Sequence, residues 1–367
     1  MRILGLSFGF HDAGACMLQD DQIEFAGHSE RYSKVKNDAW INHELISAAI
    51  EGGKPDVIVL HEKAWLKRLR NIYGRNWYGF REPTQKQWIK KFYPELKGIP
   101  IKDYLHHETH AAAGVLSSNF DECAVMVIDA IGEFDTATIW KWQNGNLKKL
   151  HTTSYPSSLG LFYSAVTHHV GLKPMEDEYV LMGMAAYGNP VYADKINKEL
   201  FKHAEVNDAN LHECLHTINM SKGLPKNFMS VQALTDKQIQ FDLAASAQQV
   251  CEQRILSYAT LAKRYNNSNN LVFMGGCALN CVANSLLYKV FKNLHIMPNP
   301  GDAGSSLGAA ALYNYYNTLQ KAEWEGPYLG YNIEGTWPEK KFLASLRKGD
   351  IFGVANGKAE FLSLIHI

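Results

Sequence analysis

The chain has 367 residues, enough for two to three domains of about 150 residues each and a sizeable core. Its 37 Lys and Arg cancel 37 Asp and Glu, which leaves no net charge to draw in nucleic acid or an anionic membrane. With 46% hydrophobic and 20% charged residues, the composition is that of a folded globular protein and excludes wholesale disorder. No apolar run approaches the ~18 residues of a membrane span. The N-terminal stretch meets His11 and Asp12 before a signal-peptide core can develop, so the chain is expected to stay in the cytoplasm. Six cysteines, at 16, 123, 214, 251, 277 and 281, form no CxxC pair and are expected as buried thiols of a reducing compartment.

In chain order, residues 2–7 alternate as a strand, break at Gly9-Phe10-His11-Asp12-Ala13-Gly14 and resume at 15–18. Asp20-Asp21 then turns into a third strand at 22–26, an antiparallel opening. Lys54 to Leu60 is a buried parallel strand, and Glu108 to Leu116 an alanine-rich helix. The opening plan repeats at Cys123 to Ile128, which is followed by Asp129-Ala130-Ile131-Gly132-Glu133 and a hairpin turning at Asn144-Gly145. Two such units about 120 residues apart indicate a duplicated domain. Residues 155–240 show helical periodicity broken by Gly and Pro. Asp242 to Lys263 is a crossover helix feeding a strand that ends at Gly275-Gly276, then a helix from Ala278 to Lys289. His295 to Pro298 is a further strand, and Ala303 to Leu312 opens a helix at a glycine-rich N-terminus. From 319 to 345 the pattern weakens into an interdomain connection, and Phe352-Gly353-Val354 begins a new element.

His106 and His110, four residues apart on one helix, project two imidazoles from one face and make half of a metal site. Asp129 at a strand end and Asp302 at a helix mouth are placed to supply the oxygens. Such a set suits iron, manganese or zinc; the alternative is a solvated loop and a helix cap. Gly275, Gly276 and Gly304 lie where backbone N–H groups approach a phosphate, or where elements pack tightly. Asn280 and Asn284 present amides toward a nucleotide or are surface polar residues. His11 beside Asp12 can take a proton from an alcohol or donate to a developing oxyanion. Glu30-Arg31 and Lys34-Val35-Lys36 are candidates for the same cleft, with His168-His169 and Glu176-Asp177-Glu178 for its rim.

Several segments together resemble the O-carbamoyltransferases of the nodulation-factor and antibiotic-tailoring type. They are Phe10-His11-Asp12-Ala13-Gly14-Ala15, Ser29-Glu30-Arg31, His106-His107-Glu108-Thr109-His110-Ala111-Ala112, Val127-Ile128-Asp129-Ala130-Ile131-Gly132-Glu133 and Met182-Gly183-Met184-Ala185-Ala186-Tyr187-Gly188. Two more run from Gly275 to Asn284 and from Pro300 to Ala310. The resemblance covers residues 1–318. It implies an α/β fold of two RNase H-like halves of the actin/Hsp70/sugar-kinase superfamily, Kae1-like, with halves at about 1–118 and 119–318. It implies a linker at 319–345 and, from 346 to 367, the truncated start of a YrdC-like domain. It implies iron, Fe(II), on His106, His110, Asp129 and Asp302, with another divalent metal as the alternative. In the family, carbamoyl phosphate and ATP give carbamoyl-adenylate in the YrdC-like domain. The first domain then passes the carbamoyl group to a hydroxyl of a small acceptor, a sugar or natural product. His11 matches the histidine beside the carbamoyl group, and Gly275, Gly276, Asn280 and Asn284 hold the AMP portion.

Two departures stand out. Val180 occupies a position where many relatives have lysine, and Gly357-Lys358-Ala359-Glu360-Phe361 begins the GxxEFGPRALG signature but continues Leu362-Ser363-Leu364-Ile365-His366-Ile367. The expectation is that these last six residues are an out-of-frame or artefactual end to a longer gene, leaving no adenylate-forming domain. The alternatives are a small-molecule kinase, which needs a DxGxT loop where Phe8-Gly9-Phe10-His11-Asp12 stands, and a non-catalytic adenylate- or metal-binding remnant that regulates an intact homologue.

Overall fold

The computed structural model describes residues 1–201, 224, 228–229, 235–333, 335–351, 353 and 355–362. Cys214, Phe352, Val354 and the tail from 363 onward lie outside the described residues, as does much of the broken helical stretch between 155 and 240.

The first repeat folds as β1 (Arg2–Ser7), β2 (Gly14–Gln19) and β3 (Gln22–His28), an antiparallel meander. The turn between β2 and β3 holds Asp20 at φ 54°, a left-handed position that Asp tolerates better than most residues. β4 (Val57–Leu60) follows, parallel to β1, then the surface helix α1 (Ala64–Tyr73) and β5 (Ile101–Asp103), parallel to β4. The order is β3-β2-β1-β4-β5. A helix from the N-terminal half, α2 (His106–Leu116), closes this unit.

The second repeat has the same plan. β6 (Cys123–Ile128), β7 (Asp135–Gln143) and β8 (Asn146–Ser154) form the meander, and both Asn144 and Gly145 have positive φ at the hairpin turn. Helices α3 (Leu159–His169), α4 (Glu178–Met184) and the long α5 (Lys237–Asn266) lead to β9 (Asn270–Met274) and β10 (Asn293–His295). The order β8-β7-β6-β9-β10 mirrors the first sheet, with β6, β9 and β10 parallel. The fold is the duplicated α/β arrangement that the resemblance implied. β4 and β6 are buried along their whole length, which explains why they read as continuous apolar runs and not as alternating ones. The third parallel strand stops at His295, before Pro298, whose nitrogen has no hydrogen to give a ladder.

The two units interlock. α2 packs against β6, β7 and β9 of the second sheet, while the helix that ends the second unit, α6 (Ser305–Thr318), packs against β1, β2 and β4 of the first. Between the sheets the two helices cross almost backbone to backbone. A Cβ on Gly308 would lie 1.9 Å from the carbonyl oxygen of Thr109, and one on Gly5 would lie 1.9 Å from that of Ser306. The alanines of both helices fill the rest of this layer together with Val125, Val127, Val272 and Met274.

The stretch expected as a connection, 319–345, contains β11 (Tyr328–Ile333), which pairs with β12 (Gly357–Glu360) and lies against β3. Phe361 is fully buried, its ring 5.2 Å from that of His28. The 319–345 stretch also holds most of a helix, Glu339–Lys348, none of whose residues is buried, so the expected connection contains both a strand and a surface helix. Among the described residues no helix is long and apolar enough to cross a membrane.

The crossing gives a direct test. Gly308→Ala forces a methyl into a backbone oxygen that cannot rotate aside, so denaturant unfolding should show a loss at the upper end of overpacking costs, about 3 kcal/mol. A loss within ~0.5 kcal/mol would mean that the helices do not cross this closely.

Candidate metal centre and the cleft beside it

Four of the residues singled out from the sequence meet where the two central helices begin. His106 and His110 stand one turn apart at the start of α2, Asp129 follows the last residue of β6, and Asp302 sits in the 3-10 turn that leads into α6. The Nε2 atoms of the two imidazoles are 3.1 Å apart. His106 Nε2 lies 3.1 Å from Asp129 Oδ2 and 3.4 Å from Asp302 Oδ1, and His110 Nε2 lies 3.5 and 3.3 Å from the same atoms. All four residues are buried, none more than 5% exposed.

Burial opposes charge on each of these groups, and their mutual attraction overcomes it. Desolvation acts to lower His106, yet Asp302 and Asp129 hold it well above the ordinary imidazole value; the same pair raises His110. Desolvation acts to raise both carboxyls, yet the imidazoles hold Asp302 well below the carboxylate range and Asp129 below it as well. Two buried carboxylates need positive charge between them. The donor set suits a single divalent cation: two imidazole nitrogens and two carboxylate oxygens, all within 4.8 Å of one another. The Nδ1 atoms of His106 and His110 are buried and have no hydrogen-bond partner among the described residues, whereas the inward nitrogens are engaged.

His11 stands beside this cluster. Its Nδ1 is 3.1 Å from Asp12 Oδ2 and its Nε2 is 3.7 Å from Asp302 Oδ2. Burial would lower the imidazole, but the Asp302 and Asp12 carboxylates outweigh it and push it up to about 9. Asp12 has φ 50°, a left-handed turn that brings the pair to the mouth of a cavity of about 200 Å³ between the lobes. Asp129, Gly276 and Asn280 also line it, with Tyr163, Tyr179 and Met182 as a largely apolar far wall.

The other predicted residues divide. Lys36, Glu176 and Glu178 reach the cavity; Glu30, Arg31, Lys34, Asp177, His168 and His169 do not line it. Gly275, Asn284 and Gly304 do not line it either, and their neighbours show packing roles. Gly275 has φ 90° and abuts the Ile128 carbonyl, a Cβ on Gly304 would lie 1.9 Å from the Asn299 oxygen, and Asn284 donates to Ala278 O at 2.7 Å. Asn280 borders the cavity, but its amide exchanges hydrogen bonds of 2.9 and 3.0 Å with Gln248 and accepts from Ala283 N. Gly276 N donates to Asp129 Oδ1 at 3.3 Å. Sequence reasoning assigned no role to Tyr163, Tyr179 or Glu133. Glu133 was legible as the second acid of the Asp129 loop, whereas the tyrosines carry no spacing signal.

Fold and site together define a duplicated α/β protein with a closed His/Asp cluster between its lobes. Comparison with known proteins gives the family. Residues 66–311 match the family model described as carbamoyltransferase N-terminus. An uncharacterized protein of Synechocystis is 34% identical over 374 residues, 89% of this chain and 60% of that protein. Nodulation protein NolNO of Sinorhizobium fredii is 25% identical over 361 residues, 87% of this chain and 49% of that one. The 3'-hydroxymethylcephem-O-carbamoyltransferase of Amycolatopsis lactamdurans is 22% identical over 317 residues, 82% and 57% respectively. The chain belongs to the carbamoyltransferase N-terminus family, and it spans about half to three-fifths of the length of these relatives.

A pH test follows from His28, at the end of β3 that faces the centre. Asn299 Nδ2 donates to its Nε2 at 2.8 Å, and burial, opposed by the Asp12 charge, pushes it down to about 4 from 6.5. The folded protein therefore holds this imidazole neutral. As pH falls from 6.5 toward 4 the unfolded chain takes the proton first, and stability falls by on the order of 3 kcal/mol from this group. His28→Asn, which keeps an acceptor toward Asn299, should make the loss of stability between pH 7 and pH 5 shallower in urea denaturation; an unchanged slope would contradict the assignment.

Proposed function

We propose that this chain is the acceptor-transfer part of an ATP-dependent O-carbamoyltransferase, passing a carbamoyl group from carbamoyl-adenylate to a hydroxyl of a small acceptor. The observation that carries this reading is the convergence of His106, His110, Asp129 and Asp302 into one buried cluster at the end of a cavity that also receives His11. Family membership and a relative named for O-carbamoyl transfer support it.

His106, His110, Asp129 and Asp302 would hold a divalent cation, Fe(II) by the family resemblance, which when bound supplies Lewis-acid polarisation of a carbonyl or phosphate oxygen. The remaining work belongs to the chain. His11 lies at the cavity, where the pKa raised to about 9 makes its ring a donor to the tetrahedral oxyanion; only its minor deprotonated form would accept the proton of the attacking alcohol. Asp12, 3.1 Å from His11 Nδ1, fixes the ring. The apolar wall of Tyr163, Tyr179 and Met182 excludes water, which would otherwise compete with the alcohol for an activated carbamoyl group. Gly276 and Asn280 bound the space left for the adenylate. The acceptor class is a sugar or a natural-product alcohol. ATP and carbamoyl phosphate are substrates of the full reaction, and the adenylate would come from a separate domain.

The test is transfer itself. Protein purified without oxygen should contain a metal by elemental analysis and should form carbamate esters from supplied carbamoyl-adenylate and a panel of sugar and polyketide alcohols, read by mass spectrometry. His110→Ala should lose both the metal and the product. His11→Ala should keep the metal and slow transfer by roughly 10²- to 10⁴-fold. A metal-free wild type, or a His11→Ala protein of undiminished rate, would sink this reading.

A further inference from the structure

We propose that Glu133, on the loop after β6, is the positioning residue that aims His106 at the metal centre. The inference rests on the metal-site reading above and adds to it a residue that coordinates nothing.

The need for such a residue is visible at α2. The helix carrying both histidines starts without a cap of its own, since Leu105 at its N-cap offers no side-chain acceptor. A histidine that binds a metal through one nitrogen is ordinarily oriented by a hydrogen bond on the other. Here His106 Nδ1 is buried with no partner among the described residues. Its orientation therefore falls to the backbone and to packing.

Glu133 provides the backbone part. Both of its carboxylate oxygens lie 3.2 Å from the N–H of His106, and Oε1 also accepts from Lys63 N at 2.8 Å. The carboxylate thus serves two backbone donors of the first unit, at the positive end of α2, where an anion is favoured. Glu133 is 4% exposed, and burial raises its carboxyl pKa, so a group costly to bury is kept at a point where it touches a ligand's own peptide. Gly132 provides the packing part. A Cβ there would lie 3.1 Å from His106 Cβ and 3.2 Å from its ring, and the Gly132 carbonyl is itself held by Arg70 of α1. One five-residue loop of the second unit, Asp129 to Glu133, thereby gives one ligand directly and clamps another that belongs to the first unit. The centre can form only when the two units are docked.

The experiment titrates Co(II) alone into the chain, by calorimetry and by its visible absorption, with melting temperatures in parallel. Wild type should bind one equivalent with the absorption of a nitrogen and oxygen site. Glu133→Gln offers one acceptor oxygen in place of two. It should bind roughly 10- to 100-fold more weakly, with a shifted band, while its melting temperature without metal stays near that of wild type. Glu133→Ala should be weaker still; if it does not fold, Glu133→Gln decides the matter. Binding and spectrum equal to wild type in Glu133→Gln would overturn the positioning role and leave the metal centre standing. So would weakening that merely tracks a lowered melting temperature under an unchanged band. A wild type that takes up no Co(II) would instead fail the metal reading itself, and the positioning role with it.

Discussion

The crossing of α2 and α6 through Gly308 and the Thr109 carbonyl is the constraint on which the rest of the molecule depends. Helices whose side chains interpose ordinarily sit 8–10 Å apart. Here glycine and alanine remove that layer and bring the two N-termini to one point. One N-terminus carries His106 and His110, and the other is led by Asp302. The positive ends of two helices, aimed at the same place, favour the carboxylates gathered there. The end of β6 adds Asp129, at the carboxyl ends of the parallel strands of the second sheet.

The electrostatics follow from that geometry. A buried carboxylate pair between two sheets would be severely unfavourable alone. It is tolerable because imidazoles within 3.1–3.5 Å carry compensating charge or open their nitrogens to a cation. The same carboxylates act on His11 at the cavity mouth, where together with Asp12 they outweigh burial and raise the imidazole. Asp12 and Asp302 therefore link the first hairpin of one unit to the helix start of the other.

The glycines show how one residue type divides between two uses. Gly276 faces the cavity and gives its N–H to Asp129, whereas Gly275, one position earlier, takes a positive φ and rests on the Ile128 carbonyl. Nothing in the string Gly275-Gly276 distinguishes them. The amides of Asn280 and Asn284 are likewise indistinguishable as letters, yet both are committed to neighbours at 2.7–3.0 Å.

By itself the sequence determined the repeat, the strand order within each meander, and the two histidines and two aspartates that were candidates for one site. These are local matters: alternation, a His pair at helical spacing, an acid at each strand or helix end. Only the tertiary structure decided that each unit lends its last helix to the other sheet, that Phe361 folds back against His28, and that Glu133 caps the helix bearing His106. Those are contacts between segments 27 to 333 residues apart, set by which surfaces fit when the lobes dock, and a residue's neighbours along the chain hold no trace of them.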